Sequence, residues 1–332
     1  MGLAVASALI CVCVARAAAP ATPRVVAVSL PRDHGAHAGF EVEWWYTAGT
    51  FAADGGHPYF WFATVWASGV GMVARVNVVD LRRDRIVLAH QYFALTPAAQ
   101  GQTYLPVGAF TLGWRRGGHV GRWSVAAATA AGGLVLRLVP TQPYVLHGTH
   151  GIIEQGPGGS SGYYSEPRLA ASGVLQLGAR KLRVHGLGWL DHQWGNFASD
   201  PGALRWNWFA CQFDDGRSLM LYQFLDKSYR PTGIAAGTLS SGSGRPTQLS
   251  RFRATGLSPF VRPGRSRASY PQRWRLRVPA LKLTLTLRSR ARHQYIVNQL
   301  IPSFWEGAAT ISSGPPGSCI VESSREIPTG TL

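Results

Sequence analysis

Short runs of β-branched and aromatic residues, alternating in polarity and cut roughly every 8 to 12 residues by Gly, Pro, Asp or Asn, dominate this chain from Val42 onward. Val42–Phe51, Tyr59–Trp66, Ala74–Leu81, Ile86–Leu95, Leu134–Val139 and Val174–Leu177 read as strands. Leu204–Phe213, Ser218–Phe224, Trp274–Val278, Leu281–Leu287, Ala308–Ser312 and Cys319–Glu322 continue the pattern. No stretch of a dozen residues keeps a capped apolar stripe at helical spacing, so any helix is short. The chain is therefore expected to be all-β. Roughly sixteen strand candidates are too many for one small barrel but divide into two sets of about eight, the number that closes around one small ligand.

Asn196–Gly202 carries the Ser, Asp, Pro and Gly of a linker between the two sets. The expected organisation is a first antiparallel barrel over 36–199 and a second over 203–328. Before them, Leu3–Ala15 is apolar but too short to span a bilayer as a helix. Followed by Ala15-Arg16-Ala17, it reads as a signal peptide over 1–19, which predicts a periplasmic or secreted protein. Cys11 and Cys13 would leave with it. Cys211 and Cys319 would remain, either as separate buried thiols or as a pair if closure makes their strands neighbours.

The 332 residues are 46% hydrophobic and 15% charged, which suits a folded protein with one large or two medium cores. The formal charge of +17 comes almost wholly from scattered arginine. It suits a solvated basic surface, with attraction to anionic membrane surfaces or acidic ligands as the functional alternative. Nucleic acid is not expected, because no recognition motif accompanies the charge.

Several local patterns point away from other chemistries. Gly158-Gly159-Ser160-Ser161-Gly162 matches the nucleophile elbow G-x-S-x-G but sits in a Pro/Gly/Ser run without a parallel sheet, so it reads as a loop. His34-x-x-His37 and His147-x-x-His150, with His185 and His192 downstream, lack both H-E-x-x-H spacing and a helix, so no metal site is expected. Neither a Walker loop nor a dinucleotide fingerprint is present, and no cofactor is expected.

The segment Gly186-Leu187-Gly188-Trp189-Leu190-Asp191-His192-Gln193-Trp194-Gly195 concentrates an acid, an imidazole and two indoles. Such groups are costly to bury unless they act on something. Strand periodicity puts Leu190, His192 and Trp194 on one face, and Trp189, Asp191 and Gln193 on the other. It likewise pairs Glu43 with Trp45 and Trp44 with Tyr46. Asp215 reads as a hairpin-turn residue, whereas Asp214 fits either a turn or the site.

Together with His90-Gln91-Tyr92-Phe93-Ala94-Leu95, Tyr163–Leu169, Trp206–Asp215, Tyr270–Trp274 and Phe304-Trp305-Glu306-Gly307-Ala308, the E-W-W-Y and W-L-D-H-Q-W-G motifs resemble the lipocalin-like AttH/CrtC family. The resemblance runs from about Glu41 to Glu322. The chain departs from the family pattern at Asn298-Gln299-Leu300, which lacks an acid, and at Gly317–Glu322, which lacks a tyrosine. The family implies two consecutive lipocalin-like barrels and, from its namesake, carotenoid 1,2-hydratase activity on a hydrophobic isoprenoid-like substrate. Hydration of this kind adds a proton to an alkene and water to the resulting tertiary cation, which requires a buried acid and electron-rich faces. The expected catalytic residues are Asp191 or Asp214 as the acid and His192 as relay. Trp194, Trp44, Tyr46, Glu43, Trp208 and His90 are expected to bind the substrate. A non-catalytic carrier of a lipid, isoprenoid or polyketide and a cofactor-free cyclase or isomerase are the alternatives.

Overall fold

The computed structural model describes residues 23–117, 121–155, 159–197, 205–242, 245–263, 268–297 and 303–324. The expected signal peptide, most of the expected linker and Asn298–Leu300 lie outside them. Apart from two short 3-10 turns, Arg32–His34 and Pro279–Leu281, the described elements are strands.

The strands form two antiparallel sheets of twelve and ten, more than the two sets of about eight expected, because several two- to four-residue strands carry too little sequence to show a period. In the first sheet the order is Arg85–Ala94, Gly71–Asp80, His57–Ser68, Val42–Ala53, Arg180–Gly195, Ser160–Leu177, Gly132–Pro140, Arg122–Thr129, Phe110–Arg115 and Tyr104–Val107. Its two ends approach each other, so the sheet curls into a near-closed barrel. In the second sheet the order is Thr247–Leu249, Pro231–Ser240, Ser218–Leu225, Trp206–Phe213, Gly317–Ser324, Phe304–Ser313, Leu283–Ser289, Tyr270–Val278 and Arg253–Val261. Both are lipocalin-like barrel domains.

Ser160–Gly162, expected in a loop, instead opens the 18-residue strand Ser160–Leu177, where Ser161 is buried and accepts bonds from Gln155 and Gln193. A register shift between Glu166 and Leu169 inserts a bulge in that strand. The bulge lets Tyr164 and Glu166 before it, and Leu169 and Ala171 after it, face the same interior.

Three cores result. Trp45, Trp61, Phe110, Trp123, Leu136 and Leu190 fill the inside of the first barrel. The open central lumen expected from closure is thus occupied by side chains, and space remains at the rim. Phe209, Trp274, Leu285, Trp305 and Val321 fill the second, around a disulfide between Cys211 and Cys319. These two cysteines face each other directly across Trp206–Phe213 and Gly317–Ser324. The third core lies between the barrels, where Tyr46, Phe60, Phe62 and Trp189 of the first meet Trp208, Met220, Tyr222, Phe304 and Ile320 of the second. A strand with one face in a barrel and the other in this seam is buried on both sides.

Candidate active site

Strand parity divides the expected site. Val42–Ala53 pairs with Arg180–Gly195 so that Glu43 opposes Trp194, Trp45 opposes His192, and Tyr46 opposes Asp191. Glu43, His192 and Trp194 therefore point into the first barrel, while Trp44, Tyr46 and Asp191 point into the seam. Trp194, Trp44 and Tyr46, expected around one substrate, are thus divided between two separate clusters on opposite faces of one sheet.

In the barrel cluster, Glu43 Oε1 lies 2.7 Å from both His37 Nδ1 and His192 Nε2, and Oε2 accepts the His37 amide at 2.8 Å. His37 Nε2 faces Asp33 Oδ1 at 3.5 Å, and His192 Nδ1 faces Tyr164 Oη at 3.3 Å. The Tyr164 hydroxyl continues to His34 Nδ1 at 2.8 Å, with Glu166 4.0 Å beyond. Burial disfavours the Glu43 charge, yet bonds from His192 and His37 outweigh it and hold the carboxyl below its usual range. Burial lowers His192 and takes His34 down to about 3, whereas it pushes Glu166 up to about 7. Trp194 stacks on His37 at 3.7 Å and Trp45 on His192 at 4.4 Å. A Cβ at Gly162 would sit 2.4 Å from the Trp194 indole, so that ring lies against bare backbone. A pocket of about 220 Å³ lined by Arg32, Asp33, His37 and Trp194 opens there, and a smaller one of about 50 Å³ borders His37 and Glu43.

The seam cluster is built around acids from both barrels. Asp191 accepts Trp189 Nε1 at 2.6 Å, Tyr163 Oη at 2.5 Å and the Ser165 hydroxyl. Burial pushes its carboxyl up to about 6, against these three donors. Trp208 Nε1 crosses from the second barrel to Tyr163 Oη at 3.1 Å. Ser165 also meets His147 Nε2 at 2.6 Å, whose Nδ1 reaches Thr238 of the second barrel at 2.9 Å. Burial lowers His147 to about 3, so the ring is neutral.

Tyr46 Oη donates across the seam to Glu306 Oε1 at 2.6 Å. Glu306 opposes Glu322 in the register of Phe304–Ser313 and Gly317–Ser324, and Trp206 Nε1 donates to Glu322 Oε1 at 2.8 Å. Burial, reinforced by the like charge of Glu322, raises Glu306 well above the carboxylate range. Burial of its carboxyl, with Asp191 nearby, raises Glu322 to about 8. At neutral pH this pair retains protons that ordinary glutamates lose. Glu306 Oε2 is buried and receives no N–H or hydroxyl donor among the described residues, while the Glu322 carboxyl lies within hydrogen-bonding reach of Glu306. Half-buried Trp44, Trp66, Trp206 and Phe224 form an aromatic rim on this core.

Asp214 and His90 join neither cluster. Asp214 is exposed in the turn after Trp206–Phe213, its amide bonded to the Pro316 carbonyl at 3.0 Å. His90 is exposed on Arg85–Ala94, its ring 4.6 Å from that of Tyr92. Glu306, Glu322, Tyr163 and Ser165 in the seam, and Tyr164 and Glu166 in the barrel, are not among the expected site residues, while His147 and His37, weighed above only as metal ligands, join the seam and the barrel cluster. Glu306 and Glu322 did carry a signal: each is an acid inside an apolar strand rather than at a turn. His37 approaches from a loop, which no periodicity records.

A family model described as AttH-like matches residues 20–323. The chain belongs to the AttH-like family. Among solved structures, this AttH-like chain is similar to a Nitrosomonas europaea protein assigned as an AttH, at 25% identity and a TM-score of 0.83, covering 92% of this chain and 99% of that one. It shares its fold with kievitone hydratase from Nectria haematococca at 19% identity and a TM-score of 0.73, over 92% and 94% of the two chains. A more distant likeness, at 12% identity and a TM-score of 0.51, is to CghA in complex with Sch210972, over 88% and 89%. No curated protein matches the sequence.

Proposed function

We propose that this AttH-like chain is a cofactor-independent hydratase that adds water across a C=C bond of a hydrophobic, isoprenoid-like substrate at the seam between its barrels. The observation that carries the reading is Glu306: an enclosed carboxyl held protonated by burial, with one oxygen fixed by Tyr46 and a second acid, Glu322, as its neighbour. Glu306 transfers its proton to the less substituted alkene carbon, leaving a tertiary cation on the other. The faces of Tyr46, Trp189, Trp208 and Phe62, which meet in this core, supply electron density beside the cation. Water adds to the cation and loses a proton to the carboxylate of Asp191, whose three donors fix it as an acceptor. The proton left on Asp191 returns to Glu306 by way of the neighbouring, half-buried Glu322, which closes the cycle. Two acids and one fixed acceptor supply the division of roles that acid–base chemistry needs. The AttH-like family and the fold shared with kievitone hydratase support the same reaction class.

The Cys211–Cys319 disulfide and the apolar leader Leu3–Ala15 support a periplasmic or secreted location. Contact with an anionic membrane finds support in the second barrel. Arg273, Arg275 and Arg277 are exposed on Tyr270–Val278, with Arg277 opposite Arg253 and Arg273 opposite Arg288. Like charges paired across strands repel, and an anionic surface relieves them.

The test is incubation of purified protein with acyclic isoprenoids in deuterated water, followed by mass spectrometry. The hydratase reading expects an alcohol with deuterium on carbon. Ligand recovered unchanged and unlabelled would identify a carrier instead, and a labelled isomer of unchanged oxygen content would identify a cyclase or isomerase.

A further inference from the structure

We propose that His37, Glu43 and His192 bind a divalent transition-metal ion of the zinc class at the rim of the first barrel, its open coordination position facing the small pocket bordered by His37 and Glu43. The proposal is independent of the seam chemistry. The three ligand atoms, two imidazole nitrogens and one carboxylate oxygen, lie within 4.8 Å of one another. They arrive from three places: His37 from the loop before the first strand, Glu43 from Val42–Ala53 and His192 from Arg180–Gly195. Two imidazoles and a carboxylate are a set that zinc, iron(II) and cobalt(II) accept, and three protein ligands leave a position for water.

The surroundings strengthen the assignment. A metal-bound imidazole characteristically has its second nitrogen tied to an outer partner, which fixes the ring. Here the other nitrogen of His37 faces Asp33 at 3.5 Å, and that of His192 faces the Tyr164 hydroxyl at 3.3 Å. Asp33 is itself held by the Ser29 amide at 2.7 Å and by Arg32 at 2.6 and 2.9 Å. The indoles of Trp194 and Trp45 stack on the two imidazoles at interplanar angles of 8° and 22°. Outer partners and ring planes are thus both set for convergence on one point. The space of about 50 Å³ beside His37 and Glu43 has room for a water, and the adjoining pocket of about 220 Å³ gives an entry path.

Each imidazole nitrogen is now 2.7 Å from Glu43 Oε1, a hydrogen-bonding distance. A tetrahedral ion would spread its ligand atoms to about 3.4 Å. The loop bearing His37, which borders both pockets, is the side that gives way. The competing reading is a carboxylate bridged to two imidazoles by protons alone.

Chelator-treated protein titrated with Zn²⁺ by calorimetry, and with Co²⁺ by visible absorption, decides between them. A single saturable ion per chain, with cobalt ligand-field bands, is expected. His37→Gln, Glu43→Gln and His192→Gln should each weaken it at least tenfold, and Asp33→Asn roughly 10- to 100-fold. His185→Gln, at an exposed histidine, should leave it unchanged. Absence of saturable binding in the wild type would overturn the proposal, as would undiminished binding in His37→Gln, a loop position whose exchange leaves the barrel strands intact. Neither result bears on whether isoprenoids are hydrated.

Discussion

Asp191 and His192 are chain neighbours whose side chains leave the same strand on opposite faces, one into the seam between the barrels and the other into the first barrel. A tandem of two ionisable residues on a strand buried on both sides supplies two different sites, and substitutions at the two positions separate their roles.

Tyr46→Phe removes the one donor on Glu306 Oε1 across the seam. Loss of a buried bond to a carboxyl group should lower unfolding free energy by about 1–3 kcal/mol. Urea denaturation of the variant measures it.

Stability should fall as pH rises through the range set by Glu322. Its carboxyl titrates near 8 in the folded chain against an ordinary value of 4.5, so the folded state binds the extra proton. That contribution is complete below about pH 4.5 and is lost by the time pH passes about 8. Glu322→Gln should flatten this slope in melting curves across pH.

His147 should shape the acid limb with the opposite sign. Its ring is neutral in the fold down to about pH 3 but protonates near 6.5 when unfolded, so stability is lost as pH falls between those values. His147→Gln should reduce that loss, with melting temperatures from pH 7 to pH 4 as the readout.

Reduction of Cys211–Cys319, which closes a separation of 108 residues, should cost about 2–5 kcal/mol. Denaturation with and without reductant gives the value, and a C211A/C319A double variant should reproduce the reduced form.

Much of this was legible beforehand, because a strict two-residue period survives packing. It groups Glu43 with Trp45 and Trp44 with Tyr46 on one strand, and His192 with Trp194 and Trp189 with Asp191 on the other; which face of one strand meets which face of the other comes only from the register. The period could not say that both faces are buried, since that depends on a second barrel docking against the first. Without that seam, Trp44 and Tyr46 are expected around the same substrate as His192 and Trp194, although they line the opposite face. Asp214 was drawn toward the site by its position after a tryptophan-rich strand, but the turn exposes it. His90 sits on Arg85–Ala94, the end strand of the first sheet's order, remote in that order from Arg180–Gly195. The pairing of Glu306 with Tyr46 joins residues far apart in the chain, and no local pattern encodes it.

Asp214→Asn and His90→Ala should therefore leave turnover unchanged and shift stability by no more than about 0.5 kcal/mol, as surface exchanges usually do. Parallel activity and melting assays check both.

The most direct measurement is the rate at which solvent deuterium enters carbon of an acyclic isoprenoid, compared between wild type and Glu306→Gln with ligand binding measured alongside. The seam account predicts that the variant still folds and binds but incorporates label about 10²- to 10⁴-fold more slowly. Incorporation at the wild-type rate in Glu306→Gln would contradict it.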